Sequence, residues 1–433
     1  MQTSSVLLDD ASAASRPELA NVAATVSEPA RRVVFASLLI WVVGVQTQEA
    51  IATVGDVLCI VSVLAIARSE WSPGWLGRGL RSWWPLAAFL GWAVLVPLAA
   101  GRSPEGAGLG RLSDWLALPA AAAAYPLLTA RQRRALAWTA AVTFTVACAC
   151  ALLQHYGIWP PQQAFDSLGW TRLAFDRVYE EIVGDPGRFY GGGLLFHRLK
   201  FADVGGLVVV AAFAVALSES GRTRVICGVV MALGLLSILV AAQARAASAS
   251  VVAALVVMMV VARLSLKQLA AAALVMAVLL GAAFGVSQGV RTRFANMFDH
   301  DSNGERTTIW RVATRAVATA PIAGIGVGQY RASKFAPPGT PRAIIDHPGK
   351  AHNQFLSFAA EIGIPGAVLF AWLLAWLFLS VRGSGAILGR GAVAFFVILS
   401  LTHDPLFHAQ VSMAFVLAFG IACGLSQPRT SGA

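Results

Sequence analysis

Charged residues are scarce in this chain. Asp, Glu, Lys and Arg make up 13% of its 433 residues and hydrophobic residues 57%, whereas a soluble domain has about 25% charged residues. This balance excludes an ordinary soluble protein and predicts a polytopic membrane protein. A secretory signal peptide is not expected either, because the stretch from Met1 to Glu28 is polar and carries four carboxylates where an apolar core would stand.

Cysteine is also rare, and none of the five cysteines is placed for a cross-link. Each lies inside an apolar run, without the spacing of a metal site and outside the loops where a disulfide would help. They are Cys59, Cys148, Cys150, Cys227 and Cys423. We therefore expect small buried side chains, no disulfide and no metal.

The formal net charge of +11 does not indicate nucleic-acid binding. The basic residues do not form one patch but are scattered between apolar runs, as loop charges of membrane proteins are. No nucleic acid is expected as a partner.

Apolar runs predict about twelve membrane spans, since about 20 apolar residues cross a bilayer. They contain almost no Asp, Glu or Lys. The spans are Val33–Val45, Ile51–Ala67, Pro85–Ala100, Leu112–Leu128, Leu136–Leu153, Phe201–Leu217, Val225–Ala242, Ala246–Ala262, Leu269–Val286, Ile364–Val381, Gly391–Leu401 and Ala409–Leu425. The predicted fold class is an all-α transmembrane helical bundle.

Arginines and lysines of the short loops orient the bundle, because such residues prefer the cytoplasmic side. Seven segments agree on one side if there are twelve spans, which places both termini in the cytoplasm. These residues are Arg31, Arg32, Arg68, Arg78, Arg81, Arg131, Arg133, Arg134, Arg222, Arg224, Arg263, Lys267, Arg382, Arg390 and Arg429.

The predicted domain organisation follows from this topology. Residues 1–32 and 426–433 form cytoplasmic tails around a transmembrane catalytic domain at 33–425. Two long periplasmic loops containing short helices span residues 155–200 and 287–351. Both loops carry many cations, so the polar chemistry is concentrated on the outer side.

Four outer patches hold the candidate site residues. GRFYGGGLLFHRLK carries Arg188, His197, Arg198 and Lys200 around three glycines, which are expected to form a plain turn and not a phosphate loop. Arg245 stands between two apolar runs. There an arginine is costly unless it meets an anion or water.

The third and fourth patches follow each other closely. Arg306 and Arg311 lie on an expected helix that leads into PIAGIGVGQY, ending at Tyr330. AHNQFLSFAAEIGIPG then opens with His352 and Asn353, a suitable helix cap. Between the last two spans, THDPLFH adds further polar residues: His403, Asp404 and His408.

Each residue has a plainer interpretation as a lipid-headgroup contact, a cap or a turn residue. Together they suit chemistry on a phosphate ester. Arginine binds phosphate in a fork and neutralises a departing diphosphate. A neutral histidine serves as general base near pH 7.

The motif HNQFLSFAAEIGIPG is similar to the histidine-led signature of the O-antigen ligase and polymerase family of bacterial envelope enzymes. His352, Asn353, Glu361, Gly363 and Gly366 carry that similarity. The stretch from Arg306 to PIAGIGVGQY resembles the large periplasmic loop of the family, and the positions of Arg188 and Arg245 match its arginines. The resemblance covers roughly residues 188–425.

This resemblance implies an inverting, metal-independent glycosyltransferase without a cofactor, in the inner membrane with a periplasmic site. Chain size and one dominant outer loop resemble the ligases of the family. These move O-antigen from undecaprenyl diphosphate to the lipid A–core oligosaccharide, and membrane lipid surrounds both substrates. The implied base is His352. The other implied roles are diphosphate binding by Arg188, Arg245 and Arg306, support by Asp404, Asn353 and Tyr330, and acceptor or phosphate contacts by His197, Arg198 and Lys200.

Glu361 is expected to be structural, because nine residues along a regular helix turn it away from the face of His352. Pairing of Glu361 with an arginine is the expected arrangement.

Several other functions stay open at this point. An O-antigen polymerase would use the same base and arginines on a different acceptor, and a protein-glycosylating relative tends to be longer at its C-terminus. A transporter or flippase of a polyanionic lipid would not need a titratable base, although no internal repeat points to one. An envelope scaffold would depend on Arg245 for assembly and not for turnover.

Overall fold

The computed structural model describes residues 26–70, 82–159, 180–295, 300–345 and 350–426. Within these ranges the chain is helical and contains no β-strand beyond an isolated antiparallel bridge between Glu181 and Phe189. The α-helices are α1 Glu28–Thr47, α2 Glu49–Glu70, α3 Trp84–Ala99, α4 Gly106–Ser113, α5 Ala117–Leu127, α6 Ala130–His155, α7 Arg198–Ser218, α8 Gly221–Leu236, α9 Arg245–Val261, α10 Leu266–Val286, α11 Gln288–Ala295, α12 His300–Thr319, α13 Arg342–Ile345, α14 Gln354–Ser380, α15 Ala386–Thr402 and α16 Ala409–Leu425.

Every predicted span is helical in the structure. Eight helical stretches are long and apolar enough to cross a membrane, and they hold eight of the twelve predicted spans. The other four predicted spans correspond to the shorter helices α3, α9 and α16 and to the pair α4–α5. The all-helical fold is therefore confirmed, whereas the count of twelve crossings and the side of each loop stay predictions.

Local sequence fixes several helix starts. Thr129 and Gln132 form a capping box at the start of α6, and Ser265 and Gln268 form another at the start of α10. Such boxes satisfy amide groups that have no partner inside the helix. The first helix begins at Glu28 after Ser27, so it takes in the last residues of the predicted tail.

Three aspartates correct the expectation that the spans hold almost no acidic groups. Asp56, Asp114 and Asp203 are at most 6% exposed within the helical core. Each has at least one carboxyl oxygen without a hydrogen-bond partner. A single carboxyl group changes the mean hydropathy of a long apolar segment only slightly. A prediction of spans from mean hydropathy therefore does not reveal it.

An aromatic cluster joins the N-terminal helices to the C-terminal ones. The Trp115 ring lies between α4 and α5 and packs against rings of α3, α14, α15 and α16. The members of this cluster are Phe89, Trp115, Phe358, Phe370, Phe396 and Phe415. Close packing continues below it, where a Cβ on Gly420 would lie 2.4 Å from the Cβ of Ala121.

The polar residues collect at one end of the bundle, here called the His352 end. Helices α7 and α16 begin there, since the His197 and His408 rings are 5.2 Å apart. Helix α14 begins beside the end of α15, where the Asn353 side chain donates to the Leu401 carbonyl. Residues 160–179, 296–299 and 346–349 of the two predicted periplasmic loops lie outside the described ranges, as do Arg78, Arg81, Arg429 and most of both predicted tails.

Candidate active site

His352 occupies a strained position immediately before α14. Its backbone has φ +50°, in the left-handed region that few residues other than glycine enter. Asn353 caps the helix through its side-chain oxygen, which accepts from the Leu356 amide at 3.0 Å. The expected cap is confirmed, although α14 begins at Gln354 and His352 lies one residue before the cap. The half-buried His352 side chain thus stands at the head of α14, at the polar end of the bundle.

Helix α14 bends sharply at Gly363, as the glycine and proline in its sequence predict. Gly363 has φ +78° and ψ +168°, which divides α14 into a short segment after His352 and a long apolar one. A Cβ at this position would lie 1.9 Å from the Ile322 carbonyl oxygen. The bend therefore lets the turn Pro321–Tyr330 pack directly against α14.

That turn is held by backbone hydrogen bonds and by Glu361. The amides of Ile325 and Gly326 donate to the carbonyls of Ala360 and Glu361, both at 2.9 Å. The buried Glu361 carboxylate accepts from the Gly328 amide and lies 3.8 Å from the guanidinium of Arg111. The predicted pairing of Glu361 with an arginine is confirmed, and the glycines of GIGVG form a turn.

Asp404 follows α15 and holds the backbone around His352. Its Oδ1 accepts from the Ser357 hydroxyl at 2.6 Å, and the carboxylate also accepts from the His352 amide. Burial raises the pKa of Asp404, while these two hydrogen bonds and the charges of Lys350 and Arg111 act in the opposite direction. Asp404 thus contacts His352 through the main chain, at the residue whose backbone is strained.

Tyr330 ends the glycine turn and is fully buried. Its ring stacks on Phe335, and its hydroxyl has no hydrogen-bond partner among the described residues. Burial raises the pKa of Tyr330, and the nearby charge of Asp404 adds to the effect. The hydroxyl is therefore a neutral donor beside the Asp404 carboxyl.

His403 stacks on His352 with ring centroids 5.8 Å apart and the planes 27° from parallel. Burial lowers the pKa of His403 to about 4, and the nearby cations Arg306, Lys350 and Arg198 lower it further. An imidazole that is neutral at pH 7 therefore lies against the predicted base. The sequence alone gives His403 no role, because only the fold brings the end of α15 beside the start of α14.

Arg306 interacts with His403, and Arg245 interacts with Arg306. Arg306 lies on α12, as predicted, and Arg245 is the first residue of α9, after a π-helical turn and a left-handed Gln243. Burial lowers the pKa of Arg306, and the charge of Arg245 contributes. Two like charges that interact in this way favour an anion between or beside them.

Arg188 is placed differently. Its guanidinium lies over the Tyr156 ring at 4.5 Å, beside His155 at the end of α6. The neighbouring glycines do not form a phosphate loop, because the amides of Gly192 and Gly193 both donate to the Gln154 side chain at 2.8 Å. The prediction of a plain turn at these glycines is confirmed.

His197, Arg198 and Lys200 begin α7 and line a cavity of about 480 Å³. The remaining lining residues are Leu199 of α7 and four residues from three other segments, and none of these five was assigned a role from the sequence. The full lining is Glu180, His197, Arg198, Leu199, Lys200, Lys350, Phe407 and His408. Lys350 lies two residues before His352 in the sequence. This closeness is the one signal by which the sequence could have indicated Lys350 as a site residue.

The Phe407 ring links this cavity to the glycine turn. The Lys350 ammonium lies 3.6 Å from its centroid, and the Arg111 guanidinium carbon lies 4.2 Å from it. The structure therefore brings together His352, Asp404, Tyr330, Arg306 and Arg245, with His197, Arg198 and Lys200 adjoining. Arg188 lies against Tyr156, toward the end of α6.

The fold and this site define a class of protein: a helical membrane protein with two stacked histidines and clustered cations at one end of its bundle. Residues 227–371 match the family model described as O-antigen ligase. The match includes Arg245, Arg306, Tyr330 and His352, and it supports the chain's membership of the O-antigen ligase family. No curated protein matches the chain.

Proposed function

We propose that this protein is an O-antigen ligase that moves a polysaccharide from undecaprenyl diphosphate to the lipid A–core oligosaccharide. The observation that carries the proposal is the placement of His352 at a strained helix head, stacked on His403, which in turn interacts with Arg306. A base beside clustered cations suits a displacement at a sugar carbon with a diphosphate leaving group.

His352 acts as the general base in this proposal. Its ring nitrogen takes the proton from an acceptor hydroxyl as the oxygen bonds to the anomeric carbon of the donor. The bond from that carbon to the diphosphate oxygen breaks, and its electron pair leaves with undecaprenyl diphosphate. A single displacement from the opposite face inverts the configuration of the anomeric carbon.

Arg245 and Arg306 hold the diphosphate and stabilise the charge that develops on it. Arginine is suited to this role because its planar fork binds two phosphate oxygens at once. Arg188 contacts the phosphate farther from the reacting carbon, or the first sugar, in this proposal. Its guanidinium lies over Tyr156, at the end of α6. In this mechanism the arginines neutralise the leaving group, and neither a metal nor a cofactor is required.

Three residues support the base without touching the reacting atoms. Asp404 fixes the His352 amide, and Asn353 fixes the start of α14. Tyr330 presents a neutral hydroxyl beside Asp404 and keeps the glycine turn packed against α14. Each is a positioning residue in this proposal.

The proposed location is the bacterial inner membrane, with both termini cytoplasmic and the His352 end in the periplasm. Both lipid-linked substrates then reach the site from the same leaflet. The arginine distribution of the short loops supports this orientation.

Transfer by the purified protein tests the proposal. Undecaprenyl diphosphate–O-antigen and rough lipopolysaccharide are supplied with a chelator to wild type, His352→Ala and Arg306→Gln. Arg222→Gln is the matched control, an exposed arginine at the opposite end of the bundle. We expect transfer by wild type and the control and at least a hundredfold loss in both site variants.

Two other outcomes contradict the ligase. Elongation of lipid-linked chains without transfer to rough lipopolysaccharide would identify a polymerase. A transporter would be identified by two results together: folded protein shows neither transfer nor elongation, and it moves lipid at a rate that His352→Ala does not change.

A further inference from the structure

The cavity between α7, α16 and Lys350 has properties that the diphosphate site does not explain. Its volume of about 480 Å³ lies within the range of sites for small organic ligands. Lys350, two residues before His352, lines it, whereas neither Arg245 nor Arg306 does. The ligand inferred for this cavity rests on the proposed transfer reaction and on the groups that line the cavity.

Cations outnumber carboxylates among the described residues that line this cavity. Arg198, Lys200 and Lys350 line it together with one carboxylate, Glu180, which lies 3.8 Å from Arg198. Glu49 lies 3.2 Å from Lys200, and Asp404 interacts with Lys350 from outside the lining. Phe407 adds an apolar face, so the ligand is expected to carry both an anionic group and apolar surface.

Two histidines add hydrogen-bond donors to the cavity. Nδ1 of His197 accepts from the Lys200 amide at 3.3 Å, so a proton on this ring is carried by Nε2. The His408 ring lies 5.2 Å from that of His197. Burial and the neighbouring cations, chiefly Lys350, lower the pKa of His408, so His408 is neutral at pH 7.

The electrostatic neighbours of His403 and His408 overlap at Lys350. His408 also interacts with Lys200, whereas His403 also interacts with Arg306 and Arg198. His403, which is stacked on the predicted base, therefore interacts both with Arg306 of the proposed diphosphate site and with cations that line the cavity. Cations of both kinds near the predicted base fit two anions, one on each substrate.

We propose that this cavity is the acceptor subsite and that it binds a phosphate or carboxylate on the acceptor saccharide, close to the hydroxyl that His352 activates. Lys350 and Arg198 contact the anion, the histidines donate to it or to neighbouring hydroxyls, and Glu180 accepts from a sugar hydroxyl. The ligase would then select acceptors by charge as well as by sugar.

Binding without turnover tests this subsite separately from the reaction. His352→Ala protein in phosphatidylcholine nanodiscs is titrated with rough lipopolysaccharide and with the same material after chemical removal of its phosphates. Lys350→Gln is added to that background, with Lys334→Gln as the control, an exposed lysine outside the cavity.

We expect Lys350→Gln to weaken binding of the phosphorylated acceptor about tenfold, the effect of one hydrogen bond to a charged group. Binding of the dephosphorylated acceptor and of undecaprenyl diphosphate should not change. His408→Gln should reproduce the selective loss in part, and Lys334→Gln should have no effect.

Three results would overturn the subsite. In the first, Lys350→Gln weakens binding of the phosphorylated and the dephosphorylated acceptor equally. In the second, Lys350→Gln weakens binding of undecaprenyl diphosphate. In the third, phosphatidylglycerol competes for the cavity and abolishes the difference in affinity between the two acceptor forms. The last would assign the cavity to a lipid headgroup. Charge-selective binding in a protein that fails the transfer assay would refute the ligase and support the subsite.

Discussion

Gly363→Ala is expected to damage both stability and transfer, although Gly363 contacts no substrate in the proposed mechanism. Its φ of +78° and ψ of +168° lie in a region that is essentially restricted to glycine. An alanine there costs about 1–3 kcal/mol in backbone strain alone. Its Cβ would also lie 1.9 Å from the Ile322 carbonyl oxygen, a distance that forces one backbone to move.

The movement would break contacts that position the site. The Ile364 amide donates to the Pro321 carbonyl at 2.8 Å, and the Gly326 amide donates to Glu361 at 2.9 Å. Losing the first of these adds about 1 kcal/mol to the strain. We therefore expect a total loss of roughly 3 kcal/mol and, for a chain of 433 residues, a fall of about 3 °C in the unfolding midpoint.

The measurement is thermal unfolding in detergent together with the transfer assay. Gly91→Ala is the matched control, because Gly91 lies inside α3 and a Cβ there meets no atom within 4 Å. That control should be neutral or slightly stabilising, as alanine is in a helix. An unfolding midpoint of Gly363→Ala within about 1 °C of wild type, with normal transfer, would show that α14 needs no bend.

Three further predictions concern the residues around the histidine pair. Glu361→Gln should keep the transfer rate within about threefold of wild type. It should lower the free energy of unfolding by about 1–3 kcal/mol, because Arg111 loses its charged partner. Loss of transfer by a folded Glu361→Gln protein would instead show that Glu361 is catalytic. Asp404→Ala should lower kcat at least tenfold at unchanged KM, with partial recovery in Asp404→Asn, which keeps an acceptor for Ser357; a change confined to KM would contradict positioning. The pKa of His403 falls from 6.5 to about 4 on folding, so the unfolded state binds more protons between these values. Stability should therefore fall on acidification from pH 6.5 to 4, by up to about 3 kcal/mol, and His403→Gln should flatten the profile.

The helices could be predicted because each depends on residues adjacent in sequence. Apolar runs, capping residues and the glycine and proline of α14 act over a few positions, so the spans and the Gly363 bend are visible without a structure. The cap at Asn353 belongs to the same category.

The site could be predicted only in part, because its contacts join distant segments. Arg111 meets Glu361 across 250 positions of the sequence, and His403 reaches His352 from another helix. Lys350 enters the cavity beside α7 and α16, whose starts lie far from it in the chain. No local pattern marks such residues, since each is an ordinary surface residue until the helices pack.

The packing of α16 on α5 has a consequence for the synthesis of this protein. Trp115 and Ala121 are made about 300 residues before the residues that cover them, Phe415 and Gly420. Until α16 has been synthesised, Trp115 and Ala121 lack this packing partner, and the earlier helices are in the bilayer without it. A chain interrupted before α16 would therefore expose a tryptophan and a row of small residues to membrane proteases, so cells should degrade truncated chains while full-length chains persist.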